Sequence, residues 1–247
     1  MNRAHIMGGV AGPVAALMFL GGLLAAGFLP PMSPTISQQD LVAHYTTHIN
    51  GVRICAIALL FLLTGLMTQY TALADQLGMI DGPHSKSWAR LQVMLGGISL
   101  VPVYGTSITW ALASYRLDRS AEATQLLSDL GWFCFVMPVA PALVQMWSVG
   151  FAVLSDRAAR PTFPRWYGYF SLWIGVLLMS GLLVPYFKHG PFAWNGLLAF
   201  WVAAVALGTW VNLTGFLMVG VARRGDASER EAVSQIKPRL APRSPAA

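Results

Sequence analysis

Six long apolar runs dominate the chain, each bounded by polar or charged residues and uncharged through its middle. They cover about 7–29, 51–74, 91–115, 130–154, 166–187 and 192–221. A run of about 20 apolar residues spans a bilayer core of about 30 Å as a helix. In lipid the backbone has to satisfy its own hydrogen bonds, so runs of this length read as helices. The pattern predicts an all-α, polytopic transmembrane bundle of six spans over residues 1–222. The remainder, 223–247, is charged and rich in Ser, Ala and Pro, and reads as a disordered tail.

The first run is longer than the 7–15 residues usual in the core of a signal peptide, so it reads as a retained span. Gly8 and Gly12, Gly21 and Ala25, and Gly22 and Ala26 form small-xxx-small pairs suited to packing against another helix. After Pro30, Pro31 and Pro34, Ser37 followed by Asp40 has the form of a helix start and predicts a short helix leading into the second span. Gly82-Pro83 marks a turn, as does Gly190-Pro191, after which Asn195 is placed to cap the sixth helix. Pro102, Pro138, Pro141 and Pro185 fall inside the third, fourth and fifth spans and predict bends there.

Composition agrees with the pattern: 55% of residues are hydrophobic, 11% are charged and the mean hydropathy is +0.57. The net charge of +6 would suggest nucleic acid in a soluble chain, but no basic stripe interleaved with aromatics occurs, and nucleic-acid binding is not expected. The cations flank the spans instead. With the N-terminus inside, only Arg53, Arg116, Arg119 and Lys188 fall on the outer side, and the other twelve of the sixteen Lys and Arg fall inside. The positive-inside rule then gives both termini cytoplasmic, N-in and C-in. Arg157, Arg160 and Arg165 beside Trp166, Tyr167 and Tyr169 read as an interfacial belt at the fourth connection. Cys55 and Cys134 stand alone in apolar runs and indicate neither a disulfide nor a metal site.

No acidic residue lies near the middle of a span, which argues against a pump or antiporter that carries ions on buried carboxylates. No hydrolase, zinc-protease, Walker or dinucleotide motif occurs, so the sequence leans away from an enzyme. Three sets of polar residues stand out. Asp40, His44 and His48 recur every four residues, which places them on one helix face as candidate ligands for zinc or copper; the competing reading is an ordinary solvated helix. Arg53, near the outer end of the second span, either snorkels to the headgroups or turns inward to an anionic ligand, Asp40 or Asp129. Gln92, Tyr104 and Gln145 lie near the bent spans and are candidates for orienting an apolar ligand by hydrogen bonds; otherwise they join helices to one another.

The runs Gly131-Trp132 with Pro138, Phe163-Pro164-Arg165-Trp166 with Gly168-Tyr169, Leu183-Val184-Pro185 and Lys188-His189-Gly190-Pro191-Phe192-Ala193-Trp194-Asn195-Gly196 carry a resemblance. The segment from Pro30-Pro31 to Arg53 adds to it. In these runs the chain resembles an uncharacterised family of bacterial six-helix inner-membrane proteins. The resemblance implies a multi-pass protein of the bacterial cytoplasmic membrane and brings no activity with it. The leading expectation is an integral membrane protein that binds or moves a small hydrophobic molecule, or supports a membrane partner that does. A membrane-embedded metalloenzyme (or its subunit) built on Asp40, His44 and His48, and a purely structural assembly subunit, are the alternatives. Beyond the metal that this triad would take, no cofactor is expected.

Overall fold

The computed structural model describes residues 2–116 and 118–236, and every regular element among them is helical. The α-helices are α1 (Asn2–Ala25), α2 (Gln38–Thr47), α3 (Ile49–Gly78), α4 (Ser85–Tyr115), α5 (Ala121–Val136), α6 (Ala140–Leu154), α7 (Arg165–Leu178) and α8 (Ala203–Ile236). A 3₁₀ segment, Met179–Tyr186, continues α7, and a π segment, Leu197–Val202, leads into α8. Six stretches are long and apolar enough to cross a membrane: Arg3–Ala25, Ile49–Gly78, Ser85–Tyr115, Ala121–Leu154, Arg165–Tyr186 and Leu197–Gly225.

The six predicted runs map one to one onto these stretches. The fourth begins earlier than its apolar run, at Ala121. Ser120 caps it by accepting from the Ala123 amide at 3.3 Å, and Glu122 in the first turn suits the positive helix end. The chain after 223 was expected to be disordered, yet α8 stays helical to Ile236. Its sequence there, rich in Ala, Glu and Arg, consists largely of good helix formers. Residues 237–247 of that tail lie outside the described residues.

The prolines act unequally. Pro102 lies inside an unbroken α4. Around Pro138 the fourth span divides into α5 and α6, and Pro185 lies in the 3₁₀ segment. These irregular stretches meet one another. Gly181 lies so close to the break that a Cβ there would be 2.8 Å from the Val136 carbonyl oxygen, and Ser180 Oγ donates to the Leu198 carbonyl of the π segment at 2.9 Å. Irregular backbone at membrane depth is tolerated where protein covers it, and here each irregular stretch helps cover the next.

α3 is central, packed against α1, α4 and α8. The small residues of α1 form much of its seam: Gly8 lies against Ala72, Gly12 against Gln69, and Gly22 against Cys55 and Ala58. Lipid offers no hydrophobic gain for helix association, so close backbone approach and hydrogen bonds carry it. Gln69 and Gln76 of α3 donate to the Val211 and Met218 carbonyls of α8 at 2.9 and 3.0 Å. Tyr167 and Thr214 share a 2.7 Å hydroxyl bond, and Trp210 Nε1 donates to Ser171 Oγ at 3.0 Å.

One end of the bundle is arginine-rich, and there the connections are folded. Asp156 is buried and accepts from the Ala158 and Thr162 amides at 3.0 and 2.8 Å, while Arg224 Nη2 donates to the Thr162 carbonyl at 2.8 Å. The opposite end holds α2 and the 187–196 hairpin, tied to the first connection by Trp194 Nε1 donating to the Met32 carbonyl at 2.9 Å. Gly190 takes φ +81° in that hairpin, as a turn glycine does. Asn195 does not cap the sixth span. Gly196 is the capping position, and the Pro191 carbonyl receives the Leu198 and Ala199 amides at 2.9 and 3.2 Å.

Candidate functional site

The structure answers each of the three polar sets differently. Ser37 caps α2 as expected: its Oγ accepts from the Asp40 amide at 3.1 Å and donates to the Asp40 carboxylate at 2.7 Å. That engagement holds Asp40 at the exposed start of the helix. His44 turns the other way, toward the end of α1. There the Phe28 amide bonds to the Leu23 carbonyl at 2.9 Å and the Gly27 amide to Leu24 at 3.1 Å, with Gly27 at φ +65°. This is a Schellman-type termination, and it leaves the Ala26 carbonyl without a helical partner. His44 Nε2 lies 2.9 Å from that oxygen and donates to it. His48 Nδ1 lies 3.2 Å from the His44 carbonyl, and the two imidazoles stack at 4.5 Å. Asp40, His44 and His48 therefore do not converge on one point. Among the described residues no three His, Cys, Asp or Glu side chains form a group able to hold a metal. Burial lowers the His44 pKa and the His48 ring adds to the fall, against the Ala26 hydrogen bond, which raises it.

Arg53 is neither turned into the bundle nor paired with Asp40 or Asp129. Its Nη2 donates to the Ser114 carbonyl at 2.9 Å, one residue before the end of α4. A cation at a helix C-terminus satisfies an orphan carbonyl and suits the macrodipole.

Gln92 and Gln145 are fully buried, whereas Tyr104 is 44% exposed on the outside of the bundle. The first two are brought into one region. A Cβ at Gly96 would lie 2.6 Å from both Gln145 Nε2 and Tyr70 Cδ2, and Gln92 is one turn before Gly96 on the same face of α4. The Gln92 amide has no hydrogen-bond partner among the described residues, whereas Gln145 interacts with the Tyr70 side chain. Tyr104 belongs to a different face, so the three residues do not line one cavity.

Among the described residues a cleft lies between α6 and α7. It is open to the outside of the bundle, has a volume of about 350 Å³ and is lined by Trp147, Phe151, Tyr169, Leu172, Trp173 and Val176. Its origin is a close approach of two helices at glycines. A Cβ on Gly168 would be 3.2 Å from the Gly150 carbonyl oxygen, and one on Gly150 would be 3.0 Å from that of Gly168. Trp147 Nε1 donates to the Leu172 carbonyl at 3.2 Å, which fixes that ring and leaves its apolar face in the wall. The backbones approach at the glycines, Trp147 packs onto Gly175 of α7, and the space left between the aromatic walls is the cleft. None of Gln92, Tyr104, Gln145 or Arg53 lines it. The signal in the sequence is a glycine accompanied by two aromatics on each helix: Trp147, Gly150 and Phe151 on one, and Gly168, Tyr169 and Trp173 on the next.

Six membrane-length helices joined by short connections make this a multi-pass α-helical membrane protein. No protein family, curated protein or solved structure matches the chain.

Proposed function

We propose that this membrane protein binds or moves a small hydrophobic molecule taken up laterally between α6 and α7. The single observation that carries the reading is the aromatic cleft of about 350 Å³. Ligand sites are typically apolar concavities of about 300–1,000 Å³, and this one is reached from the side of the bundle rather than through it. The sequence pattern supports a placement with both termini cytoplasmic, in which the arginine-rich end faces the cytoplasm. The resemblance supports the bacterial inner membrane as the setting.

Native mass spectrometry of the detergent-purified protein tests the reading. A co-purifying apolar species is expected on the wild type, with its occupancy lost in Val176→Trp, which fills the cleft from a side chain already exposed. Equal occupancy in that variant would place the binding elsewhere and defeat the proposal.

A further inference from the structure

Within the cleft reading, the charge around the cleft mouth narrows the class of ligand. Arg165, Tyr169, Leu172, Trp173 and Val176 all fall on one face of α7, within roughly 100° of one another at 100° per residue. Arg165 stands at the first position of that helix, so it marks the end of the same stripe that forms one wall of the cleft. Arg157 and Arg160 lie in the connection that leaves α6 and enters α7, the two walls. All three arginines are exposed. Among the described residues the one ion pair is His5 with Asp75, so none of these three guanidinium groups is paired there, although the Arg157 amide bonds to the Asp81 carbonyl at 2.8 Å. Asp156, the acid nearest in sequence, is buried with its oxygens on the Ala158 and Thr162 amides.

The depth of the cleft also restricts its occupant. Tyr169 and Val176 lie roughly 6 and 16 Å along α7 from Arg165 at 1.5 Å per residue. One leaflet of hydrocarbon is roughly 15 Å deep, half of a bilayer core of about 30 Å. Trp173, 64% exposed, stands roughly 12 Å in, deeper than the interfacial position that tryptophan usually takes. A positive rim, then an apolar slot the depth of one leaflet, complements an anionic head with a hydrocarbon chain below it.

We propose that the α6–α7 cleft holds an acyl chain of an anionic phospholipid whose headgroup is bound by Arg165 with Arg157 and Arg160. The arginine fork matches phosphate oxygens, and the aromatic walls hold the chain without asking anything of its sequence of methylenes. This selects the lipid by the charge of its head.

The test uses the full-length protein in phosphatidylcholine vesicles that carry a trace of a phospholipid with a photoreactive diazirine in its acyl chain. The probe is phosphatidylglycerol in one set and phosphatidylcholine in the other, and the labelled peptides are mapped after illumination. Preferential labelling of the peptides containing 147–151 and 169–176 by the phosphatidylglycerol probe is expected. Arg165→Gln should reduce that labelling about fivefold, the usual effect of one basic residue on an anionic membrane lipid, while Lys188→Gln at the other end leaves it unchanged. Equal labelling by the two probes, or indifference to Arg165→Gln, overturns the headgroup assignment and leaves the hydrophobic cleft standing. Failure of both probes to label these peptides removes the cleft reading itself. The comparison of the two probes on the wild type needs no variant to fold.

Discussion

Gln69 donates its side-chain amide to the Val211 carbonyl across the α3–α8 seam at 2.9 Å. Seven residues along both helices, Gln76 repeats the bond to Met218 at 3.0 Å. Residue numbers rise together in the two pairs, so the helices run parallel, as the second and sixth spans of a six-span chain must. Interhelical bonds in membranes are worth about 0.6 kcal/mol on average and up to about 1.7. Gln69→Leu and Gln76→Leu should each lower stability by about 1 kcal/mol, with nearly additive effects because the two bonds share no partner. Denaturant titration in mixed micelles measures both. A double variant no weaker than either single one would show that the bonds act as one unit.

Gln92 is a buried glutamine of the opposite kind, its amide without a hydrogen-bond partner among the described residues. Removing an unsatisfied polar group and replacing it with an apolar one of similar shape is close to neutral, or stabilising. Gln92→Leu should therefore leave stability unchanged or raise it, in contrast to the Gln69 and Gln76 variants. The same titration decides this. A clear loss of stability would mean that a bound molecule satisfies the Gln92 amide and that this residue belongs to a site.

His44 gives the histidine end a pH dependence whose sign follows from its burial. Its folded-state pKa lies below the ordinary value of 6.5, because burial and the neighbouring His48 disfavour the charged ring. Below about pH 6.5 the unfolded chain takes up a proton more readily than the folded one, so this contribution is present above that pH and is lost as pH falls through it. The melting temperature of the wild type should fall more between pH 7.5 and 5 than that of His44→Gln, which keeps a donor for the Ala26 carbonyl but does not titrate. Parallel melting curves would show that His44 does not set the dependence.

Much of this architecture was legible because its causes are local in sequence. The six spans follow from run length and from the backbone's need for internal hydrogen bonds. Ser37 and Asp40 announced the start of α2 at the correct spacing. The candidate chemistry was less legible because it depends on where neighbouring elements end. Asp40, His44 and His48 share a helical face on paper, yet Asp40 is held by Ser37 and His44 by a carbonyl that exists only because α1 stops at Gly27. Arg53 meets the end of α4 at Ser114, a contact between residues far apart in the chain. Tyr104 has the same composition of surroundings as Gln92 in the sequence, but the faces of α4 separate them. The cleft carries no polar marker in the sequence, because the fold builds it from two glycines flanked by aromatic rings.

Sequence also could not rank the glycines of α1, and the structure does. Gly12 faces Gln69 so closely that a Cβ there would collide with the side-chain amide oxygen, while Gly21 has nothing within 4 Å of the same position. Gly21→Ala should be neutral or stabilise by up to about 1 kcal/mol, since alanine is the better helix former and nothing has to move. Gly12→Ala gains the same propensity but forces Gln69 aside. Overpacking of this kind typically destabilises by about 1–3 kcal/mol, so a net loss is expected. The mechanism makes a further claim. If the loss arises because the new methyl displaces Gln69 from Val211, then Gly12→Ala should cost much less in a chain that already carries Gln69→Ala, where the amide is gone. The double-variant cycle in mixed micelles measures that coupling directly. Strict additivity would show that Gly12 is needed for the approach of the α1 and α3 backbones themselves, and that the Gln69 bond survives the substitution.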